Sequence, residues 1–195
     1  NIRKFGVPAV VAELIKAKQI HEDALTVNGK TIGEMFANRA AATPAAPAFM
    51  TKRAGVWHTT TWQEAYERAS DIAHGLISLG GKPGDKVAIL GSTREEWTLS
   101  DLGVALAGCV TVPIYPTLPP DQAQYIATDC GAKIALVGSA PLAERLKGMA
   151  DIRILGLKSL EGLDSLDAHM GGMDHGAWTE GMKAIHPDDL ATIIY

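Results

Sequence analysis

Short apolar segments alternate with longer amphipathic segments over most of this sequence. The apolar segments lie at 87–90, 110–114, 132–137 and 152–157. Segments that are almost continuously apolar are typical of parallel strands whose two faces are both covered. The segments between them carry apolar residues at helical spacing. The pattern therefore predicts an α/β fold: an open, mostly parallel sheet with helices on both faces.

The longest amphipathic segment begins at Thr61. The side chains of Thr61 and Glu64 can each satisfy a free backbone N–H of the first helical turn, an arrangement called a capping box. Apolar residues then recur every three or four positions as far as Ile77, which predicts one apolar helix face. Two β-prone runs at 48–50 and 56–60 surround a glycine-containing loop and predict a hairpin before this helix.

The remaining segments give shorter predictions. We expect helices to begin at Thr31, near Ser92, at Pro119 and near Ser139, and a last apolar strand at 190–195. Residues 158–182 are rich in glycine, aspartate and histidine, so we interpret them as loop with one weak helix. Residues 1–30 are interpreted as an N-terminal extension that contains a short helix.

Four blocks that follow one another along the chain resemble the adenylate-forming superfamily. They are Thr61-Trp62-Gln63-Glu64, Gly84-Asp85-Lys86-Val87-Ala88-Ile89-Leu90, Glu95-Glu96-Trp97 with Gly108-Cys109-Val110-Thr111-Val112-Pro113-Ile114-Tyr115-Pro116-Thr117, and Pro187-Asp188-Asp189-Leu190-Ala191-Thr192-Ile193-Ile194-Tyr195. The resemblance covers residues 31–195, which we interpret as the first lobe of an AMP-binding domain. The sequence motifs around Trp97 and Tyr115 are most similar to those of long-chain fatty acid–CoA ligases.

The resemblance implies a two-step reaction in the parent protein. A fatty acid carboxylate attacks the α-phosphorus of ATP to give acyl-AMP and pyrophosphate, and the thiol of coenzyme A then attacks the acyl-AMP. ATP, Mg²⁺ and coenzyme A are thus the implied cofactors. In the family, the phosphate-binding loop would follow Tyr195, so we expect this chain alone to be inactive and to contain no catalytic residue. Tyr195 leads into that loop, and Tyr115 and Thr117 match a turn on the substrate or coenzyme A side.

Composition narrows the function classes further. The net charge is −4, which argues against a broad basic surface and hence against nucleic acid as a partner.

Cys109 and Cys130 show no metal-ligand spacing, so we interpret them as reduced, buried thiols of a cytoplasmic protein. In the stretch from His169 to His175, two glycines predict flexibility and no further ligands lie nearby in sequence, so we predict no metal site. No apolar run approaches the ~20 residues of a membrane span, although peripheral membrane contact and a homodimer stay open.

Two alternatives remain at this point. The parent could be another branch of the superfamily, either a fatty acyl-AMP ligase or a carrier-loading adenylation domain. It could also be a non-catalytic α/β scaffold or interaction domain, because open α/β sheets support many functions. Trp62 and Trp97 fall in apolar helix patterns, so we interpret both as core anchors, not as ligand-stacking residues.

Overall fold

A computed structural model describes residues 29–170 and 184–195. The helices are α1 (Ile32–Ala42), α2 (Trp62–Ser78), α3 (Glu95–Leu106), α4 (Pro120–Asp129) and α5 (Ala140–Ala143), with 3-10 turns at Glu144–Leu146 and Leu166–His169. The strands are β1 (Pro47–Arg53), β2 (Val56–Thr61), β3 (Lys86–Leu90), β4 (Val110–Ile114), β5 (Ile134–Val137) and β6 (Arg153–Gly156).

A parallel sheet of four strands, in the order β4-β3-β5-β6, forms the centre of the fold. Successive residues of β3 point to opposite faces of the sheet, and both faces are buried. Val87 and Ile89 belong to an apolar cluster with α1, α2 and α3, whereas Ala88 and Leu90 belong to a second cluster with α4. The predicted open parallel sheet with helices on both faces is confirmed.

The chain order makes the sheet doubly wound. β3, α3 and β4 build outwards in one direction, and the chain then crosses back through α4 to place β5 on the other side of β3. The direction of winding therefore changes between β3 and β5. In open α/β sheets, this switch point leaves a crevice at the carboxyl ends of the strands, where ligands commonly bind.

The start of α2 shows how local sequence determines an element boundary. The Thr61 side chain accepts from the Glu64 N–H, and the Glu64 carboxylate accepts from the Thr61 N–H at 2.7 Å, so the predicted capping box is present. The hydrogen bond from the Thr61 backbone N–H, and a second one that the Thr61 hydroxyl donates to the same carboxylate at 2.9 Å, lower the pKa of Glu64. The box fixes where the helix begins and therefore which of its residues face the sheet.

Helices α2 and α3 pack closely because of one glycine. A Cβ built on Gly103 would lie 2.4 Å from Cγ2 of Ile72 and 2.9 Å from the carbonyl oxygen of Ala69. Any larger residue at this position forces the two helices apart. The small residues of α3 thus permit close contact with a neighbouring helix, as well as covering the sheet.

The predicted hairpin is confirmed as β1 and β2, which pair antiparallel with Lys52 opposite Trp57. It docks on the rest of the molecule through Glu95, whose side chain is 3% exposed. Glu95 accepts hydrogen bonds from Thr60 at 2.6 Å and Thr51 at 3.0 Å, both in the hairpin. A carboxylate at the start of α3 therefore fixes the position of a segment more than thirty residues earlier in the sequence.

Several predicted elements differ in the structure. Only Thr192 of the predicted last strand forms a β-bridge, which is parallel to Thr111, and Leu190, Ile194 and Tyr195 are exposed. The helix expected from Ser139 is one α-turn followed by a 3-10 turn, and α3 begins at Glu95, not at Ser92. The helix predicted within residues 1–30 and residues 171–182 of the predicted loop lie outside the described residues.

Candidate functional site

The carboxyl ends of β3 and β4 border an apolar depression. It is a cavity of about 470 Å³. Its walls are residues 91–93 after β3, residues 113–117 of β4 and the following turn, Trp97 of α3, and Ile194. This volume falls within the ~300–1,000 Å³ typical of small-molecule pockets, and the apolar walls suit a hydrocarbon or aromatic group.

The turn after β4 supplies two of the predicted site residues. The Leu118 N–H donates to the Tyr115 carbonyl at 3.1 Å, which closes a turn over Pro116 and Thr117. Tyr115 is 67% exposed, and both Tyr115 and Thr117 line the cavity. The structure thus brings these two residues together at one opening. Their role on the substrate or coenzyme A side stays a prediction.

A second contact fixes this turn from behind. The guanidinium of Arg145 donates to the carbonyl of Leu118, and the Gln124 side-chain amide donates to the Arg145 carbonyl at 2.9 Å. Arg145 lies in the 3-10 turn after α5 and Gln124 lies on α4. Two separate elements therefore hold the loop that carries Tyr115 and Thr117, although neither residue stood out in the sequence.

The structure places Tyr195 away from the cavity. Its hydroxyl donates to the Asp129 carboxylate at 2.5 Å, and this hydrogen bond raises the pKa of Tyr195 to about 12. Its neighbour Ile194 contributes to the cavity wall instead. Ile194 was not predicted as a site residue, because the apolar composition of residues 190–195 predicted a strand. The bridge at Thr192 indicates that the segment runs alongside β4, which brings Ile194 to the cavity.

Trp97 differs from its predicted role as a core anchor alone. Its ring packs against the apolar cluster beneath α2 and α3, and it also lines the cavity. Trp62 is the simpler case, because it packs at the edge of that cluster with its ring against Phe36 and under the guanidinium of Arg39. One tryptophan is thus structural, and the other is both structural and accessible to a ligand.

The two cysteines differ in environment. Cys109 is buried, and desolvation raises the pKa of its thiol to about 11, which keeps it protonated and unreactive. Cys130 is only half-buried, so the prediction of two buried thiols is wrong for Cys130. Burial also raises the pKa of Cys130, and neither thiol is poised as a nucleophile.

The described residues contain no group of three or more histidine, cysteine, aspartate or glutamate side chains that could hold a metal ion. His169, one end of the histidine-containing stretch considered above, bonds through Nε2 to Asp164 at 3.0 Å. The other end, His175, lies outside the described residues. None of the helices in residues 29–170 and 184–195 is long and apolar enough to cross a membrane.

Comparison with known proteins identifies the family. The family described as AMP-binding enzyme matches residues 36–195 of the chain. The chain belongs to the AMP-binding enzyme family. This result confirms the resemblance on which the sequence prediction of an adenylate-forming enzyme was based.

Individual relatives of this AMP-binding enzyme chain include three kinds of adenylate-forming protein. The long-chain-fatty-acid–CoA ligase FadD15 of Mycobacterium bovis is 31% identical over 148 residues, 72% of this chain and 25% of the relative. The nonribosomal peptide synthetase NPS2 of Ceriporiopsis subvermispora is 29% identical over 70% of this chain and 5% of the relative. The fatty acyl-adenylate ligase of L. pneumophila, solved with acyl adenylate and pyrophosphate, is 25% identical, with a TM-score of 0.58 over 74% of this chain and 26% of that structure.

The chain spans about a quarter of the length of FadD15. The family is therefore established for the chain itself, and the activity of the complete enzyme is proposed below.

Proposed function

We propose that the protein containing this chain is an AMP-forming long-chain fatty acid–CoA ligase, which activates a fatty acid with ATP and transfers the acyl group to coenzyme A. The observation that carries the proposal is the apolar cavity of about 470 Å³ at the carboxyl edge of the sheet, in a chain whose relatives include fatty acid–CoA ligases. An apolar cavity at this edge suits an acyl chain better than it suits a polar amino acid.

In this proposal the residues of the chain bind and orient, and the chemistry takes place on groups held elsewhere. Tyr115 and Thr117 lie on the firmly held turn at the mouth of the cavity, where they can contact the acyl group or the incoming thiol. Trp97 and Ile194 supply apolar walls. Excluding water from this region would protect an acyl-adenylate from hydrolysis before the thiol arrives.

The described residues contain no carboxylate cluster for the implied Mg²⁺ and no glycine-rich loop for the triphosphate of ATP. Mg²⁺ requires carboxylate or phosphate oxygens at short range, and these residues contain no acidic cluster for it. A triphosphate requires convergent backbone N–H groups in a glycine-rich loop, which the family would place after Tyr195. We therefore propose that the chain alone is inactive and assign no reaction step to its side chains.

A second candidate is an enzyme that stops at acyl-AMP or loads the acyl group on a carrier protein. The similarity to the L. pneumophila fatty acyl-adenylate ligase and to the peptide synthetase favours this alternative. Both candidates form an adenylate, and they differ in the acceptor. Coenzyme A as acceptor supports the first candidate, and a carrier thiol or no acceptor supports the second.

The deciding experiment measures fatty-acid-dependent exchange of pyrophosphate into ATP by the full-length protein, followed by acyl-CoA formation. We expect exchange with a long-chain fatty acid and a coenzyme A thioester as product. Pyrophosphate exchange without formation of a coenzyme A thioester would support the second candidate instead. Absence of exchange with every medium- and long-chain fatty acid would leave a non-catalytic scaffold as the better hypothesis.

Two exposed tyrosines allow a matched test of the cavity mouth. Tyr115→Ala in the full-length protein should lower kcat/KM for the fatty acid or coenzyme A about tenfold, because it removes one side of the opening. Tyr125 is 63% exposed on α4 and does not line the cavity, so Tyr125→Ala should leave kcat/KM unchanged. Equal effects of the two substitutions would contradict the assignment of Tyr115.

A further inference from the structure

A second cleft lies at the switch point itself, between the carboxyl ends of β3 and β5. It has a volume of about 200 Å³ and shares only Ser92 and Trp97 with the apolar cavity. Residues that follow three different strands border it: Ser92 after β3, Ser139 after β5 and Lys158 after β6. Parallel strands bring these separate loops to one edge of the sheet, where ligands bind in this class of fold.

Two glycines shape this part of the edge. A Cβ on Gly138 would lie 3.3 Å from Cα of Gly91, and a Cβ on Gly91 would lie 3.3 Å from the Leu157 side chain. The Gly138 N–H donates to the Leu90 carbonyl at 3.0 Å, which continues the pairing of β3 and β5 by one residue. The two backbones therefore stay close together beneath the cleft, with no side chain of their own between them.

The side chains of the cleft are mainly cationic and hydroxylic. Arg94 and Lys158 both line it, and within the described ranges neither side chain has a carboxylate partner. This distinguishes them from Arg53, Arg68 and Arg153, each of which pairs with an acid. Two unpaired cations that face one cleft produce a positive potential that favours an anion.

The hydroxyls and the single acid complete the chemistry. The side chains of Ser92 and Ser139 form no hydrogen bond in the parts of the chain that the structure describes, so both hydroxyls are free to donate. Glu96 also lines the cleft and lies 3.6 Å from Arg53, so the lining of the cleft carries two cations against one acid. Trp97 adds a flat apolar wall. The cleft thus combines two cations, two hydroxyl donors and one aromatic face.

We propose that this cleft binds a phosphate group, either free or carried on a small organic molecule. A tetrahedral dianion offers acceptor oxygens to both the cations and the hydroxyls of the cleft, and charge-assisted hydrogen bonds are the strong ones. The aromatic wall gives an organic phosphate additional contact area. The proposal concerns a cleft separate from the apolar cavity and does not depend on the proposed function.

The test titrates the isotopically labelled chain with inorganic phosphate and, separately, with AMP, and follows backbone amide resonances at constant ionic strength with chloride as reference. We expect saturable shifts of the amides of residues 91–97 and 138–140. Tighter binding of AMP than of phosphate would indicate an organic phosphate as ligand, and equal binding would indicate recognition of the phosphate group alone.

Substitutions decide whether the cleft is responsible. The double variant Arg94→Gln/Lys158→Gln should bind at least about tenfold more weakly, whereas Arg94→Lys should retain part of the affinity. Lys82→Gln is the matched control, because Lys82 precedes β3 at the opposite edge of the sheet. The proposal is overturned if neither ligand gives saturable shifts, or if the double variant and the control bind equally well.

Discussion

The hairpin and the central sheet are held in place by different forces. β3 and β5 are buried almost completely, and apolar side chains cover both of their faces. The hairpin is largely exposed, with Met50, Val56 and Trp57 each about 60% accessible. Ala48 and Phe49 pack against the core, and the hydrogen bonds from Thr51 and Thr60 both go to one carboxylate. Many apolar side chains share the stabilisation of the sheet, whereas the polar contacts of the hairpin to the rest of the molecule depend mainly on one carboxylate.

The two regions should therefore respond differently to substitution and to pH. Loss of an apolar core side chain should affect the whole domain, because the sheet is shared by every layer. Loss of the carboxylate should mainly release the hairpin. The following predictions test this distinction, from the largest expected effect to the smallest.

Leu136→Ala should have the largest effect. Leu136 in β5 is 0% exposed, and removing a buried leucine side chain costs about 2–5 kcal/mol of unfolding free energy. Urea denaturation followed by circular dichroism measures the change. Leu190→Ala is the control, because Leu190 is 56% exposed and should change stability by less than about 0.5 kcal/mol. A similar loss in both variants would contradict the importance assigned to the sheet core.

Gly103→Ala should come next, with a loss of about 1–3 kcal/mol from overpacking against α2. Alanine is the better helix former, so a loss of stability at this position would itself demonstrate the clash. The double variant Gly103→Ala/Ile72→Ala should lose less than the sum of the two single variants, because the nearest clashing atom belongs to Ile72. Simple additivity in a double-mutant cycle would count against this contact.

Glu95→Gln should destabilise the protein by about 1–2 kcal/mol, since it removes the charge that pairs with Arg68 at 2.9 Å and Arg53 at 3.4 Å. Hydrogen exchange should show faster exchange in β1 and β2 and little change in β3. The adjacent Glu96→Gln is the control, because within the described residues the Glu96 carboxylate pairs only with the exposed Arg53, at 3.6 Å. Uniform acceleration across the sheet would show that the anchor is not local.

Acidification should have the smallest and most local effect. Burial alone would raise the pKa of Glu95, but hydrogen bonds from Thr60 and Thr51 and the two arginines outweigh it, so its pKa lies below the ordinary 4.5. A lowered pKa contributes stability above pH 4.5, which is lost as the pH falls through the folded-state value. The amides of the hairpin in the native chain should therefore lose protection from hydrogen exchange as the pH is lowered below the ordinary pKa of a glutamate. The Glu95→Gln variant should lack this additional loss.

The same contrast explains what could be predicted from sequence. The strands at 87–90 and 110–114 and the capping box at Thr61 depend on neighbouring residues, and each was confirmed. The partners of Glu95 lie 27 to 44 residues away, and no local pattern marks them. The predicted strand at 190–195 was wrong for a related reason: its apolar composition favours a strand, but only Thr192 forms a bridge to β4.

Some residues of the candidate site could likewise be predicted from the sequence, and others could not. Tyr115 and Thr117 were predicted from the resemblance to the adenylate-forming superfamily, and the turn that carries them does lie at the carboxyl edge of the sheet, where loops converge. Ile194 and Arg145 could not, since their contributions depend on how distant segments meet. The cleft with Arg94 and Lys158 requires three loops to come together, and sequence spacing contains no information about that.

Pro113 has a consequence for the behaviour of β4 as an edge strand. The Val110 N–H donates to Asp85 on the β3 side, whereas the Thr111 N–H donates outwards to Ala191, so alternate residues face the outer edge. By this alternation, Pro113 lies on the outward-facing side, where it lacks an N–H to donate. A foreign strand that approached this edge would find one hydrogen bond missing, which opposes aggregation through β-pairing without weakening the sheet itself.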